Sequence, residues 1–249
     1  MIKVLELFSG TGSVGKCCKE LGWDVVSVDL LLPADHEVDI LDFDYKQYPQ
    51  DNFDIVWASP PCTEYSKLKN CWIGRKNKQG EVILTKELLE EKRKESDKLV
   101  AKSFEIIDYF NPELWFLENP ASGQLKDREI MKGKPYYNVS YCMYSDWGYE
   151  KKTRIWTNKK DWNNLICDRS GACGNMINSK QHKEVLGNGY EIIDGKKTVC
   201  NTKEKRDQFR KHKKICDGGG KRDKTIGKGV KVLDRYRIPP NLIYSLFLD

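Results

Sequence analysis

The stretch that most restricts the fold lies at the start of the chain. Residues 2–8 alternate and branch like a buried strand, Ser9-Gly10-Thr11-Gly12-Ser13-Val14-Gly15 follows, and a helical pattern runs on to Gly22. A strand that passes through a glycine-rich turn straight into a helix is the opening unit of a doubly wound α/β sheet, and the amides at the helix start form a site for a ligand. Residues 25–28 read as the second strand. It ends in Asp29, nineteen residues after Gly10, where a carboxylate is placed to accept hydrogen bonds from ribose hydroxyls. Val38-Asp39-Ile40-Leu41 reads as a short third strand or strand end, with Asp39 placed to receive an adenine amino group. Singly, Asp39, Asp42 and Asp44 read as solvated acids or helix caps. In series with the glycine turn and Asp29, Asp39 completes the outline of an adenosine pocket. Gly10-x-Gly12-x-x-Gly15 with Asp29 also suits a dinucleotide.

Phe53-Asp54-Ile55-Val56-Trp57 is a short run of β-branched and aromatic residues that reads as another buried strand. Proline fixes φ and removes a donor, so Pro60-Pro61 ends the ladder and holds Cys62 rigidly on a turn. Cys62 reads as a nucleophile there. Taken alone, a structural cysteine beside a Pro-Pro turn is an equal alternative. Residues 67–79, polar and containing Cys71 and Trp72, read as a mobile loop that serves as a lid or binding element. A charged run from 85 to 96 continues as helix through 98–110, where Leu99, Val100, Phe104, Ile107 and Phe110 repeat at helical spacing as core. Pro112 stops it, and Leu114-Trp115-Phe116-Leu117 forms a strand ending in Glu118-Asn119-Pro120. One helix separates this strand from the one before Cys62, so in a parallel sheet both ends share an edge. A carboxylic acid buried there can donate to a heteroaromatic nitrogen. A salt-bridged strand-end carboxylate is the plainer reading of Glu118.

The charge is unevenly spread. Residues 151–231 hold 22 Lys/Arg against 9 Asp/Glu, a net +13, which leaves the rest of the chain at −7 within a total of +6. A basic segment on an acidic body suggests a polyanionic partner, with nucleic acid the first candidate. No apolar run approaches the roughly eighteen residues of a membrane span, so no membrane association is expected. The N-terminus shows no signal-peptide pattern, so the chain is expected in the cytoplasm or with the nucleoid or nucleus, not secreted, with its nine cysteines as thiols. Cys167, Cys173, His182, Cys200, His212 and Cys216 lie in or near the basic segment, but Cys-x5-Cys and His-x3-Cys are not well-formed ligand pairs, and no metal is expected.

Taken together, Leu5-Glu6-Leu7-Phe8-Ser9-Gly10-Thr11-Gly12, Asp29, Asp39, Pro60-Pro61-Cys62 with Tyr65-Ser66, and Glu118-Asn119-Pro120 resemble the DNA cytosine-5 methyltransferases in order and spacing. The likeness covers residues 1–157 and resumes at Ile238-Pro239-Pro240, where that family has a closing motif. It implies a Rossmann-like methyltransferase fold, an α/β doubly wound and mostly parallel sheet. The catalytic domain would span 1–157 and be completed by 232–249, with a small basic target-recognition insertion at 158–231. It implies S-adenosyl-L-methionine as cofactor, held by Phe8, Gly10, Thr11, Gly12, Ser13, Asp29, Leu30, Asp39, Ile40 and Pro60. Cys62 would attack cytosine, Glu118 would engage ring nitrogen 3, and Arg154 would contact the base or hold the Cys62 turn. The implied partner is duplex DNA with its target base flipped out, and the implied state a monomer.

Five departures accompany the likeness. Thr63 stands where the family has Gln, Pro120 where it has Val, and Arg235-Tyr236-Arg237 where it has Gly-Asn-Ser/Ala. Glu150 and Lys152 replace the Gln and first Arg of its Gln-x-Arg-x-Arg strand, and a carboxylate cannot donate as an amide does. Alternatives are an RNA cytosine-5 methyltransferase and a catalytically weak nucleic-acid-binding protein on the same fold. The main class of RNA enzymes carries its attacking cysteine on the strand corresponding to 114–119, where this chain has none. A nicotinamide oxidoreductase would leave Cys62, Glu118 and the basic segment without roles.

Overall fold

Strand β1 (Lys3–Leu7) is buried at every position after the first, as expected of a strand covered on both faces. It pairs in parallel with β2 (Asp24–Asp29) on one side and with β4 (Ile55–Ala58) on the other. Helix α1 (Ser13–Glu20) is the crossover from β1 to β2. The computed structural model of the chain describes residues 1–178, 181–184, 190–193, 196–199, 226–227 and 236–248.

With β3 (His36–Glu37), β5 (Leu114–Pro120), β6 (Tyr136–Ser140) and β7 (Lys152–Thr157), these strands form a seven-stranded sheet in the order β3-β2-β1-β4-β5-β7-β6. Strands β3 to β5 are parallel to their neighbours and β7 runs antiparallel to β5, so the sheet is doubly wound and mostly parallel, as expected. The order reverses between β1 and β4. In open α/β sheets ligands bind outside the carboxyl ends of the strands at such a reversal.

Helix α3 (Lys86–Phe110) links β4 to β5; α2 (Lys67–Asn70) is one short turn before it. The Thr85 hydroxyl caps α3 by accepting from the Leu88 amide at 3.1 Å, and Asn111 closes it in the left-handed region ahead of Pro112. Val100, Phe104, Ile107 and Phe110 are buried as the periodicity predicts, packed with Leu5, Leu7, Val56 and Leu117 of the sheet. Helix α4 (Pro240–Leu248) returns to the first unit of the sequence: Tyr244 donates to Glu20 of α1, and the Phe247 ring lies 5.7 Å from Trp23 and 5.5 Å from Phe116.

Two expectations are corrected. The third strand is only His36–Glu37, and residues 38–41 turn away because the Asp39 carboxylate accepts the Leu41 amide at 2.9 Å. Residues 67–79, expected as a loop, contain the short helix α2 and a bridge at Lys76. Arg93 of α3 donates to the Glu64 carbonyl at 3.1 Å and to Asn70 and Gln124 side chains at 3.0 and 2.6 Å, and Lys76 bridges to Val82.

The chain divides into two compact units, one of Met1–Val139, Lys152–Leu165 and Ile238–Asp249, the other of Ser140–Lys151 and Ile166–Arg237. Residues 140–151 therefore go with the second unit, although the motif spacing groups them with 1–157, and 158–165 go with the first. The second unit contains the antiparallel pair β8 (Met176–Asn178) and β9 (Gln181–His182), and a three-stranded sheet of β10 (Tyr190–Ile193) between β11 (Lys196–Val199) and β12 (Ile226–Gly227). Most of the basic segment, including Cys200, His212, Cys216 and the Gly218-Gly219-Gly220 linker, lies outside the described residues. No helix among the described residues is long and apolar enough to cross a membrane.

Candidate active site

Three left-handed residues build the turn after β1: Phe8 at φ 56°, Gly10 at 55° and Gly12 at 66°. Glycine adopts this region freely, whereas Phe8 does so at a cost of roughly 1–2 kcal/mol. Surrounding bonds hold the turn: the Ser9 amide donates to Val28 O at 3.0 Å and the Gly12 amide to Ser9 O at 2.8 Å. Asp29 fastens it to the end of β2. One carboxylate oxygen accepts the Gly10 amide at 2.8 Å, and the other accepts the Leu31 and Leu32 amides, each at 2.8 Å. A carboxylate has about four acceptor sites, so Asp29 can still accept from a ligand. The Val38 amide donates to Asp29 O at 3.1 Å, which sets Asp39 and the buried Ile40 just beyond it. Leu30 beside Asp29 is largely exposed. At the helix start, Ser13 Oγ lies 3.1 Å from Thr11 Oγ1 and accepts the Ile238 amide at 3.2 Å. The expected closing motif thus reaches the glycine turn.

Sequence reasoning assigned no role to Glu6. It lies on β1 almost wholly buried, and its two oxygens accept the Val14 and Gly15 amides of α1 at 3.2 and 2.9 Å. An acid is favourable at a helix N-terminus, where the amides point outward without partners. Gly15 is required for this approach, because a Cβ there would meet Glu6 Oε2 at 2.8 Å. Burial nevertheless dominates, and raises the Glu6 pKa from 4.5 to about 7 despite the two amide bonds. A carboxyl with a raised folded pKa takes up a proton on folding, so its effect on stability is most favourable below the unfolded value and is lost as pH rises through the folded one. Unfolding free energy should therefore fall by about 3 kcal/mol more in the wild type than in Glu6→Gln between pH 4.5 and 7. Urea titrations of both proteins across that range measure it; parallel stability profiles would remove the role given to Glu6.

The nucleophile turn leaves the neighbouring strand. The Ser59 amide donates to Leu7 O at 3.2 Å, so the ends of β4 and β1 stay together across the reversal. Pro60 is buried and Cys62 is half-exposed. Ala58 pairs with Leu117 in the β4–β5 register, which brings Glu118 and Asn119 level with the start of the Pro-Pro turn. Glu118 is buried at the end of β5. Asn119 points to the opposite face and donates to the Pro60 carbonyl at 2.9 Å, a buried bond across 59 residues that spacing alone did not reveal. Beyond the cysteine, the fully buried Tyr65 donates to Asp97 at 3.0 Å and accepts the Gln124 amide on its carbonyl at 2.8 Å. Arg154 lies opposite Asn119 on β7. Its guanidinium donates to Asn138 at 2.9 Å, stacks 3.7 Å from the Tyr136 ring centre and lies 5.7 Å from that of Trp156, while Asn119 supplies the described bond to the Cys62 turn.

Over nearly its whole length the chain is similar in sequence to a known viral protein. The Probable DNA (cytosine-5)-methyltransferase of Frog virus 3 (isolate Goorha) is 34% identical over 247 residues, covering 98% of each sequence. The chain belongs to the DNA cytosine-5 methyltransferase family. Among solved structures, the Entamoeba histolytica methyltransferase EhMeth shares the fold with a TM-score of 0.51 and 12% identity, over 99% of this chain and 96% of that one. No protein-family model matches the sequence. In this methyltransferase, Glu150 at the family's Gln position has a guanidinium partner in its own unit, since Arg169 donates to it at 3.0 Å.

Proposed function

We propose that this methyltransferase transfers a methyl group from S-adenosylmethionine to carbon 5 of cytosine in DNA, through a covalent bond between Cys62 and a base flipped out of the duplex. The observation that carries the reading is the pairing of two turns at the sheet's reversal. The glycine turn is tied to Asp29 and the cysteine turn to Asn119, on adjacent strand ends. The residues suit the cofactor: left-handed glycines expose a turn on which a Cβ at Gly10 would meet nothing nearer than 3.8 Å, and Asp29 retains acceptor capacity beside it. Phe8, Gly10, Thr11, Gly12 and Ser13 would cradle it, with Asp29, Leu30, Asp39, Ile40 and Pro60 around the adenosyl end. When bound, it supplies an electrophilic methyl group on a sulfonium.

Carbon 5 of cytosine is a poor nucleophile until a thiolate adds to carbon 6. Cys62 makes that bond while Glu118 engages nitrogen 3 and stabilises the charge displaced into the ring. Carbon 5 would then take the methyl group as the carbon–sulfur bond of the sulfonium breaks and its electron pair stays on sulfur, which leaves as a neutral thioether. Loss of its proton to a base expels the Cys62 thiolate and restores the aromatic ring. Extruding the base costs roughly a few kcal/mol, and lysines of residues 158–231 would supply phosphate contacts that offset it without regard to sequence. Arg154, opposite Asn119, would support the strand end that holds the turn.

Transfer of labelled methyl groups to duplex DNA and, in parallel, to transfer RNA tests the reading. Label should enter DNA at least about tenfold faster than RNA, at carbon 5 of cytosine, with binding weakening steeply as salt rises. Label on RNA alone would replace the DNA substrate, and label on neither polymer would end the proposal.

A further inference from the structure

We propose that Cys142, Cys167, Cys173 and His182 form a structural zinc site that organises the second unit of the chain. All four belong to that unit, and their ligand atoms lie within 4.8 Å of one another. His182 Nε2 is 3.6 Å from Cys167 Sγ and 3.7 Å from Cys173 Sγ. A tetrahedral zinc with Zn–S near 2.3 Å and Zn–N near 2.0–2.1 Å places sulfur and nitrogen ligands about 3.5–3.6 Å apart, close to the two nitrogen–sulfur distances of the cluster, and the remaining ligand atoms lie within 4.8 Å. Three thiolates and one imidazole are a known closed set for structural zinc, with no position left for water or substrate. Burial agrees: Cys142, Cys167 and His182 are each under a tenth exposed, whereas Cys173 is half-buried.

Hydrogen bonds around the four residues hold their backbones in place, as hydrogen bonds behind the ligands do in metal sites. The Asn175 side-chain amide lies within hydrogen-bond distance of the carbonyls of Cys142 and Cys173, at 2.8 and 2.9 Å, and of Ser145 O at 2.7 Å. Its Oδ1 accepts the Gly148 amide at 3.1 Å, while its backbone carbonyl accepts the Lys183 amide at 2.9 Å, next to His182. One buried residue thereby connects the backbones around three of the four ligands. The fourth ligand, Cys167, sits in a turn of its own, where Arg169 adopts φ 65° and the Ser170 amide donates to the Asp168 carboxylate at 2.8 Å.

The unit has reason to need such a staple. None of the residues in the main hydrophobic core comes from 140–151 or from the described part of 166–237, and the strands among its described residues are two to four residues long. Small units with little apolar core are commonly held by disulfides or a metal. All three cysteines are free thiols, which in a reducing compartment favours the metal. Sequence spacing pointed away from zinc because Cys142 lies far upstream on the other side of β7, and Cys167-x5-Cys173 does not look like a ligand pair.

The test is metal analysis of the full chain, purified from zinc-supplemented medium under reducing conditions and without chelator. About one zinc per chain is expected, falling at least about fivefold in Cys142→Ser and Cys173→Ser and unchanged in Cys71→Ser, an exposed cysteine outside the cluster. Cobalt exchanged into the wild type should give the visible bands of a tetrahedral site with strong sulfur-to-cobalt charge transfer, which decides the matter even where a serine variant fails to fold. Wild-type protein with under about a tenth of a zinc per chain and no tetrahedral cobalt spectrum overturns the proposal, as does a zinc content that the Cys142 and Cys173 variants share with the wild type.

Discussion

Cys62→Ala should lower methyl transfer by at least about 10^3-fold while leaving thermal unfolding and S-adenosylmethionine binding close to wild type. The size follows from chemistry. Without a thiolate at carbon 6 the ring offers no developed charge at carbon 5, and no other described group on the Pro-Pro turn is a comparable nucleophile. The small effect on folding follows from geometry, because Cys62 is half-exposed on a turn whose anchors are Ser59, Asn119 and Tyr65. Cofactor binding is spared because the glycine turn is held from its own side by Asp29 and Ile238. DNA containing 5-fluorocytosine gives an independent readout. Fluorine at carbon 5 leaves no proton to remove after methylation, so the thiolate cannot be expelled and the wild type should remain covalently attached on a denaturing gel. Cys62→Ala should leave no such band, and Cys71→Ala should form it normally. A Cys62→Ala protein that keeps more than about a tenth of the activity would remove the covalent mechanism.

The parts of this site that were legible in the sequence are those fixed by local rules. The strands ending at Asp29 and Ala58 and the strand through Leu114 to Leu117 are short apolar runs cut off by turn residues, and α3 carries its own start and stop in Thr85 and Asn111-Pro112. The third strand was overestimated because Val38-Asp39-Ile40-Leu41 alternates like a strand, while its acid turns back on its own backbone. Other features depend on partners remote in the chain, and no pattern within a short window encodes them. Glu6 looks like a polar interruption in an apolar run until the start of α1 is seen against it. The Asn119 amide reaches a carbonyl 59 residues away. Arg154 was expected from its place in a motif to contact the base or hold the Cys62 turn; its side chain is engaged by Asn138 and Tyr136, and the bond to that turn comes from its cross-strand neighbour.

That neighbour carries the second large expected effect. Asn119→Asp should reduce kcat by about 10^2-fold or more and leave the dissociation constant for S-adenosylmethionine nearly unchanged. Pro60 has no amide to offer and its carbonyl is held by Asn119 Nδ2 at 2.9 Å in a buried setting. An aspartate of the same shape cannot donate, and its oxygen would face that carbonyl oxygen across the same gap. The Pro60 carbonyl would then lose its partner, at a cost of about 1–3 kcal/mol, or the turn would move to find another. Displacing the sulfur two residues on by about 1 Å suffices for a loss of this order, since the thiolate must meet carbon 6 within a narrow cone. Asn119→Ala should fall less far, because it removes the donor without adding a repulsive oxygen. The ordering of wild type, alanine and aspartate separates positioning from simple destabilisation, which would lower stability and activity together and weaken cofactor binding as well. Single-turnover kinetics with calorimetric titration of the cofactor provides the comparison. Equal kcat in Asn119→Asp and wild type, with both folded, would mean that the Pro60 bond does not position Cys62.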